Sequence, residues 1–130
     1  MSYSCYIKKL STKWFKKWAK KVRLNNGNML EAIENLKKGL STADLGGNLY
    51  KVRVKQANKG KSSGFRTVVV YKKNDRAIFL YGFGKNEKAN IDAAELNYFK
   101  KLGRDFLALN LGQIQHSVEQ QILFDLEEEK

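Results

Sequence analysis

Apolar residues in the first third of the chain recur at helical spacing. In residues 11–24 lysines separate them, and the apolar positions are Trp14, Phe15, Trp18, Ala19 and Val22. This period predicts an amphipathic helix that begins at Ser11 or Thr12, whose hydroxyl groups can cap it. A second helix is predicted over residues 29–38, because apolar residues recur there and Gly39 follows. The short break between them predicts a helical hairpin.

The middle of the chain changes to a period of two. In residues 49–55 the apolar Tyr50, Val52 and Val54 alternate with basic residues, which predicts a strand with one buried and one solvated face. Residues 65–71 and 76–83 are mostly apolar, and a Lys-Asn-Asp turn separates them. They predict two further strands, and their short connection indicates an antiparallel meander. Residues 56–64, rich in Gly, Ser and Lys, are predicted to form a loop.

Two helices are predicted in the last third of the chain. The first covers residues 87–109 with Asn86 as its N-cap, and the second covers residues 113–129. The second has acidic residues around an apolar stripe of Ile114, Val118, Ile122 and Leu126. The expected class is therefore α+β in the order α-α-β-β-β-α-α, with the helices on one side of an antiparallel sheet. The length of 130 residues suits one domain.

Charge distinguishes this chain from an average soluble protein. Its 25 Lys and Arg against 13 Asp and Glu give a formal net charge of +12, and the excess lies in residues 1–90. A nucleic acid is favoured as the partner over a membrane or an acidic protein. A single cysteine and a single histidine exclude an internal disulfide and the usual Cys/His zinc site. No apolar run has the length of a signal peptide or a membrane span, so we expect a cytoplasmic protein without a metal or other cofactor.

The basic face of the first predicted strand is a candidate surface for phosphates. Lys51, Arg53 and Lys55 alternate on it at intervals of about 7 Å, and Lys59 and Lys61 follow in the loop. This spacing is close to that of phosphates along a nucleic-acid strand. The alternative is a solvated edge face whose lysines prevent aggregation.

Two further basic features are candidates. Arg66 interrupts an apolar strand, and a guanidinium there can hold a phosphate through two hydrogen bonds; the alternative is a buried arginine paired with a carboxylate. Lys85 and Lys88 flank the predicted helix start at Asn86, where free N–H groups favour an anion. The alternative is an ordinary capped helix.

The absence of several catalytic motifs argues against a metal-dependent nuclease. The sequence has no paired histidines, no acidic cluster for two metals, no Walker loop and no Gly-x-Ser-x-Gly. RNA can be cleaved without a metal, because its own 2′-hydroxyl attacks the adjacent phosphate; the protein must then align the attack, stabilise negative charge and transfer protons. Glu87, Tyr71, Tyr81 and a lysine of lowered pKa are the candidates for proton transfer, and all four remain open at this point.

Three segments resemble the RelE/ParE toxin superfamily. They read YKVRV at 50–54, GKSSGFR at 60–66 and YGFGKNEKANI at 81–91. The likeness is greatest to the RelE/HigB-like branch, whose members carry GKSGGxR and GFxKNExxNI stretches. LGGNL at 45–49 and KWFKKWAK at 13–20 also resemble that branch, so the resemblance covers about residues 10–110.

The resemblance implies the toxin of a type II toxin–antitoxin pair. Its RelE-like domain would span residues 1–110, and an acidic amphipathic helix would span residues 111–130, as part of the same domain or as an appendage. Such toxins enter the ribosomal A site and cleave mRNA without a metal. The implied partners are therefore mRNA, the ribosome and a cognate antitoxin protein, with operator DNA bound only through the toxin–antitoxin complex and no membrane.

Residue chemistry and the resemblance together give two sets of candidate residues. The catalytic set is Arg66, Lys51, Arg53, Lys85 and Glu87. The RNA-binding set is Lys55, Lys59, Lys61, Asn86 and Lys88. Two positions depart from the RelE pattern: Asn86 replaces an arginine, and Asp92 stands where RelE-type enzymes carry a tyrosine early in the last helix.

Two other functions are compatible with the sequence. One is a gyrase-targeting toxin of the ParE kind, and the other is a non-enzymatic basic protein that binds nucleic acid. The alternating basic face and Arg66 favour RNA cleavage over both. A further hypothesis is that the acidic C-terminal helix partly covers the RNA site; the alternative is a peripheral helix that completes the core.

Overall fold

A computed structural model describes residues 7–55 and 64–126. Within them the elements are, in chain order, β1 (Lys8–Thr12), α1 (Lys13–Lys21), α2 (Asn26–Lys38), β2 (Thr42–Gly46), β3 (Leu49–Val54), β4 (Phe65–Lys72), β5 (Arg76–Gly84), α3 (Ala93–Ala108), α4 (Leu111–Glu119) and β6 (Leu123–Asp125). No helix in this part of the chain is long and apolar enough to cross a membrane.

The six strands form one sheet in the order β2-β3-β4-β5-β1-β6. Strands β2 to β5 are consecutive antiparallel neighbours, as the short turns indicate. Strand β1 pairs in parallel with β5, with Leu10 opposite Ile78, and β6 pairs antiparallel with the other edge of β1. The predicted α+β class, the N-terminal helices and the meander are confirmed.

The first predicted helix, over residues 11–24, was wrong at both ends. Ser11 and Thr12 belong to β1, and α1 begins at Lys13 with the Thr12 hydroxyl accepting a hydrogen bond from the Phe15 amide. Strand β1 is short and contains two lysines, so it shows no alternation. It is stabilised instead by pairing with β5 and β6, which buries Leu10 and Ser11 to 0% and 1% exposure.

Helices cover both faces of the sheet, which corrects the prediction of a single covered face. On one face, α1 and α2 pack on a core that includes Phe15, Ile33 and Val69. On the other, α3 and α4 pack on a second core that includes Phe99 and Ile114. The continuous apolar runs of β4 and β5 explain this arrangement, because a strand covered on both faces has no solvent-facing positions to alternate.

The C-terminal third also differs from the prediction. Helix α3 begins at Ala93 rather than residue 87, and its N-cap is Asp92 rather than Asn86. The predicted helix over residues 113–129 is α4 followed by β6, which pairs with β1. The helical spacing was misleading beyond residue 119, because Leu123 is buried in the second core while Ile122 is 54% exposed. Residues 127–130 lie outside the described residues.

A glycine allows α1 to pack closely on the end of β5. The ring of Trp18 lies over Gly82, where an added Cβ would be 2.3 Å from the nearest ring carbon. The contact fixes α1 beside the last residues of β5, which include Tyr81 and Phe83. The predicted inward orientation of Trp18 is confirmed by its exposure of 8%.

Candidate functional site

Three of the candidate cations line one open cavity. Arg53 on β3 lies directly opposite Arg66 on β4, and Lys51 lies opposite Val68. Strand alternation puts all three on the face that α3 and α4 cover, where the neighbouring Leu49 is fully buried. The cavity has a volume of about 300 Å³, and Ser41, Thr42 and Ala43 form its other wall. The strand pattern predicted that Lys51 and Arg53 share a face, and the fold adds Arg66 to them.

Arg66 has an unsatisfied buried donor. Its Nη1 is buried and has no hydrogen-bond partner within the described residues, and no carboxylate there pairs with it. Within residues 7–55 and 64–126, the structure therefore does not support the alternative that Arg66 is a buried arginine paired with a carboxylate. Buried polar groups are almost always bonded, and exceptions are found where a ligand or water completes the site. An anion in this cavity would supply the missing acceptor.

Arg76 shows what a structural arginine does in the same sheet. Its side chain is 4% exposed, and its Nε lies 2.6 Å from Asp75 Oδ1. Its Nη1 donates to the carbonyl of Phe106 at 2.7 Å. These bonds join the β4–β5 turn to the end of α3. Arg76 is thus satisfied within the protein, whereas Arg66 lies opposite a second arginine and its Nη1 has no acceptor in the part of the chain that the structure describes.

A second polar cluster lies where β5 meets the start of α3. Lys88 Nζ donates to Glu95 Oε2 at 2.6 Å and to the Tyr81 hydroxyl at 3.2 Å. The Tyr81 hydroxyl donates to Glu95 Oε2 at 3.3 Å. The hydrogen bond from Lys88 is the main reason that the pKa of Glu95 is lowered, and the bond to Glu95 is the main reason that the pKa of Lys88 is raised. At neutral pH the cluster therefore holds a carboxylate and an ammonium.

The two clusters are neighbours on the same face of the sheet. Lys51 Nζ donates to Asn90 Oδ1 at 3.0 Å, which joins the cavity to the segment that follows β5. Lys88 Nζ lies 5.4 and 5.8 Å from the ring centres of Tyr81 and Phe83. Phe83 is the partner of Arg66 across the β4–β5 pair. The two clusters are therefore adjacent on one face of the sheet, with the buried Phe83 between Arg66 and Lys88.

The other candidates from the sequence lie outside this cavity. Lys85, Asn86 and Glu87 form an exposed turn, in which Glu87 Oε1 accepts from the Gly84 amide at 2.7 Å. Because Asp92 caps the helix, the predicted anion site at a helix start beside Asn86 was wrong. Lys55 is exposed and lines a separate cavity of about 230 Å³ beside α2.

The remaining candidates are two loop lysines and Tyr71. Lys59 and Lys61 lie outside the described residues. Tyr71, a candidate for proton transfer, packs against the core on the α1/α2 face, and burial raises its pKa. Lys88 has a raised pKa, so it is not the lysine of lowered pKa that the sequence left open.

Sequence reasoning missed Glu95 and Asn90. Asp92 and Glu95 form a reciprocal capping box, in which each side chain accepts from the other residue's amide. The pattern Asp-x-x-Glu before a helix is a known start signal and would have placed the helix correctly. It also explains Asp92, the departure from the RelE pattern: its carboxylate caps α3. Within the described residues, no three His, Cys, Asp or Glu side chains are grouped as metal ligands.

The chain matches one model of a known protein family. A family model described as the RelE toxin of the RelE/RelB toxin–antitoxin system matches residues 7–126. The match extends beyond the stretch of about residues 10–110 over which the resemblance was recognised, and it includes α4 and β6. No curated protein matches the chain.

Proposed function

The chain belongs to the RelE family of toxins, and we propose that it is a ribosome-dependent endoribonuclease that cleaves mRNA without a metal ion. The observation that carries the proposal is Arg66, whose buried Nη1 has no acceptor among the described residues and which lines a cavity with Lys51 and Arg53. A phosphodiester would provide that acceptor. A guanidinium can bond two phosphate oxygens at once, which also orients the phosphate.

The cavity suits the transition state of phosphodiester cleavage. When the 2′-hydroxyl attacks the phosphorus, negative charge builds on the non-bridging oxygens, and donors fixed in advance stabilise that charge most effectively. Arg53 and Arg66 are fixed opposite each other by the β3–β4 register. Lys51 is held at its Nζ by Asn90. These three cations would bind the phosphate and stabilise the charge that develops on it.

Proton transfer is assigned to the cluster of Tyr81, Lys88 and Glu95. Glu95 is the proposed proton acceptor because it is the carboxylate hydrogen-bonded to the Tyr81 hydroxyl. The hydrogen bond from Lys88 lowers the pKa of Glu95, which makes it a weaker base than a free glutamate. The Tyr81 hydroxyl is bonded to both neighbours, and the Tyr81 ring lies beside Phe83, the partner of Arg66 across the β4–β5 pair. Lys88 contributes a fixed positive charge rather than a base, since its pKa is raised.

The partners follow from the family and the charge. The toxin family implies an antitoxin, and the net charge of +12 favours an acidic segment on it. mRNA in the ribosomal A site is the proposed substrate, the cytoplasm is the proposed location, and operator DNA is reached through the toxin–antitoxin complex.

Induced expression in a bacterium tests this function. The wild type, Arg66→Ala and the control Arg104→Ala, which alters an exposed arginine on α3, are followed by growth and by primer extension on an abundant message. We expect growth arrest with discrete cuts for the wild type and the control, and neither for Arg66→Ala. Arrest without cuts and with a DNA-damage response would instead indicate a gyrase-type toxin.

A further inference from the structure

An exposed aromatic groove lies beside the proposed catalytic cluster. It has a volume of about 410 Å³ and separates α1 from α3. Its walls carry Trp14, Tyr98 and Ile122, which are 48%, 60% and 54% exposed. Its floor is apolar and includes Leu80, Phe99, Leu102 and Phe106. Exposure of several large apolar side chains at one place is unusual for a soluble surface and marks a binding site.

A row of aromatic rings lies between the groove and the cationic cavity. The ring centres of Trp14 and Tyr81 are 4.8 Å apart with an interplanar angle of 29°. The next contact, from Tyr81 to Phe83, spans 6.0 Å, and Phe83 lies opposite Arg66. Lys88 lies over both of these rings. The Tyr81 ring and the buried Phe83 ring therefore lie between Arg66 and the open aromatic groove.

We propose that this groove binds a nucleobase of the RNA whose phosphate occupies the cavity of Lys51, Arg53 and Arg66. The inference rests on the proposed function and adds a base-binding subsite to it. Proteins bind single-stranded nucleic acid by combining a positively charged track with aromatic rings on which bases stack. The cavity of Lys51, Arg53 and Arg66 supplies the positive charge, and the groove supplies the aromatic rings.

The occupant is a base rather than an apolar helix of a partner protein. Half of the groove's lining is aromatic: Trp14, Tyr81, Tyr98, Phe99 and Phe106. Trp14 stacks with Trp18 and with Tyr81, so the ring available to a flat heterocycle is that of Tyr98, which is 60% exposed. Lys13 adds a positive charge to the lining. The volume lies in the range of small-ligand pockets, whereas a helix is about 10–12 Å across and needs a longer trough.

The two tryptophans of the chain make the test direct. Trp18 is 8% exposed and reports on the core, whereas Trp14 is in the groove. Emission from Trp14 is the difference between the wild type and Trp14→Phe. The probe is a short 2′-O-methyl RNA, which cannot be cleaved, compared at low salt with oligonucleotides that lack one base at each position in turn. We expect the intact probe to quench Trp14, and one particular abasic position to abolish the quenching.

Affinity and its salt dependence separate the base from the phosphate. Trp14→Leu and Tyr98→Leu should each weaken binding roughly tenfold, as loss of one stacked base does, without changing the salt dependence. Arg66→Ala should reduce the salt dependence, because it removes a phosphate contact. Tyr98→Phe should bind like the wild type, and so should Leu111→Ala, which alters a residue that is 61% exposed on α4 and does not line the groove.

The possible results distinguish a base-binding subsite from a protein-docking site. Binding that depends on Arg66 but leaves Trp14 emission unchanged overturns the base subsite while the proposed function stands. No binding of any probe at low salt overturns the base subsite, whereas the ribosome-dependent function stands or falls on the cuts seen by primer extension. If the groove variants bind RNA normally but lose affinity for the purified antitoxin, the groove is a protein-docking site and the inference is wrong.

Discussion

The sharpest prediction is that replacing Arg66 with methionine stabilises the fold while it abolishes activity. Methionine keeps a long unbranched side chain but removes the guanidinium, whose buried Nη1 has no partner in the described part of the chain. An unsatisfied buried donor costs about 1–3 kcal/mol. Removing it also relieves the repulsion with Arg53, which lies directly opposite. We therefore expect the free energy of unfolding to rise by about 1–3 kcal/mol.

Urea unfolding is the assay, with the slope of the transition as a check on two-state behaviour. The matched control is Arg76→Met, since Arg76 is bonded to Asp75 and to the Phe106 carbonyl. That change removes the bonds of a buried guanidinium to the partly buried Asp75 carboxylate and to the Phe106 carbonyl, so it should lower the free energy of unfolding by about 1–3 kcal/mol. If Arg66→Met destabilises the protein as Arg76→Met does, then Arg66 is a structural residue and the reasoning fails.

A second arm uses inorganic phosphate as a minimal ligand. A ligand that binds only the folded state raises the free energy of unfolding by about 1.4 kcal/mol at ten times its dissociation constant. Phosphate should stabilise the wild type and have a much smaller effect on Arg66→Met. Equal stabilisation of both proteins would place the anion site elsewhere.

Three further predictions concern the groups around the site. The pKa of Glu95 is lowered from its usual 4.5 by the pairing with Lys88. This pairing therefore stabilises the fold above pH 4.5, and the stabilisation is lost as the pH falls through the lowered pKa. Glu95→Gln should make the melting temperature fall less as the pH is lowered, and the same fall as in the wild type would contradict this. Asp92→Ala removes the N-cap of α3 and should cost about 0.5–2 kcal/mol in urea unfolding, whereas Asp92→Asn should retain most of the stability. Gly82→Ala places a Cβ 2.3 Å from the Trp18 ring and should cost about 1–3 kcal/mol or more, with a change in near-UV circular dichroism; a silent substitution would show that α1 does not pack there.

The sequence predicted those elements whose pattern is local. The alternation of β3 and the apolar runs of β4 and β5 identify the central strands, and their short turns give the antiparallel order. Strands β1 and β6 have 5 and 3 residues, and each is stabilised by partners far away in the chain. No local pattern encodes such pairing. The start of α3 was misplaced because Asn86 was taken for a cap, although the capping box at Asp92 and Glu95 is the stronger signal.

The candidate site was predictable in part. Alternation alone puts Lys51 and Arg53 on one face, and the break in the apolar pattern identifies Arg66. Their direct apposition depends on the β3–β4 register, which the sequence of a long polar loop does not specify. Glu95 was missed because a carboxylate in the first turn of a helix has an ordinary role there, and its second contact, with Lys88, exists only in three dimensions.

The most direct test of the account is the chemistry of the cut. The purified protein is added to ribosomes that hold a defined mRNA with an empty A site, and the ends of the products are analysed. Attack by the 2′-hydroxyl forms a bond to phosphorus and expels the 5′-oxygen, so the account predicts a 2′,3′-cyclic phosphate and a 5′-hydroxyl. A single 2′-deoxynucleotide at the cut site should then block cleavage, and Arg66→Met should leave the message intact. Cleavage of the deoxy-substituted message, or cleavage by the Arg66 variant, would contradict the account.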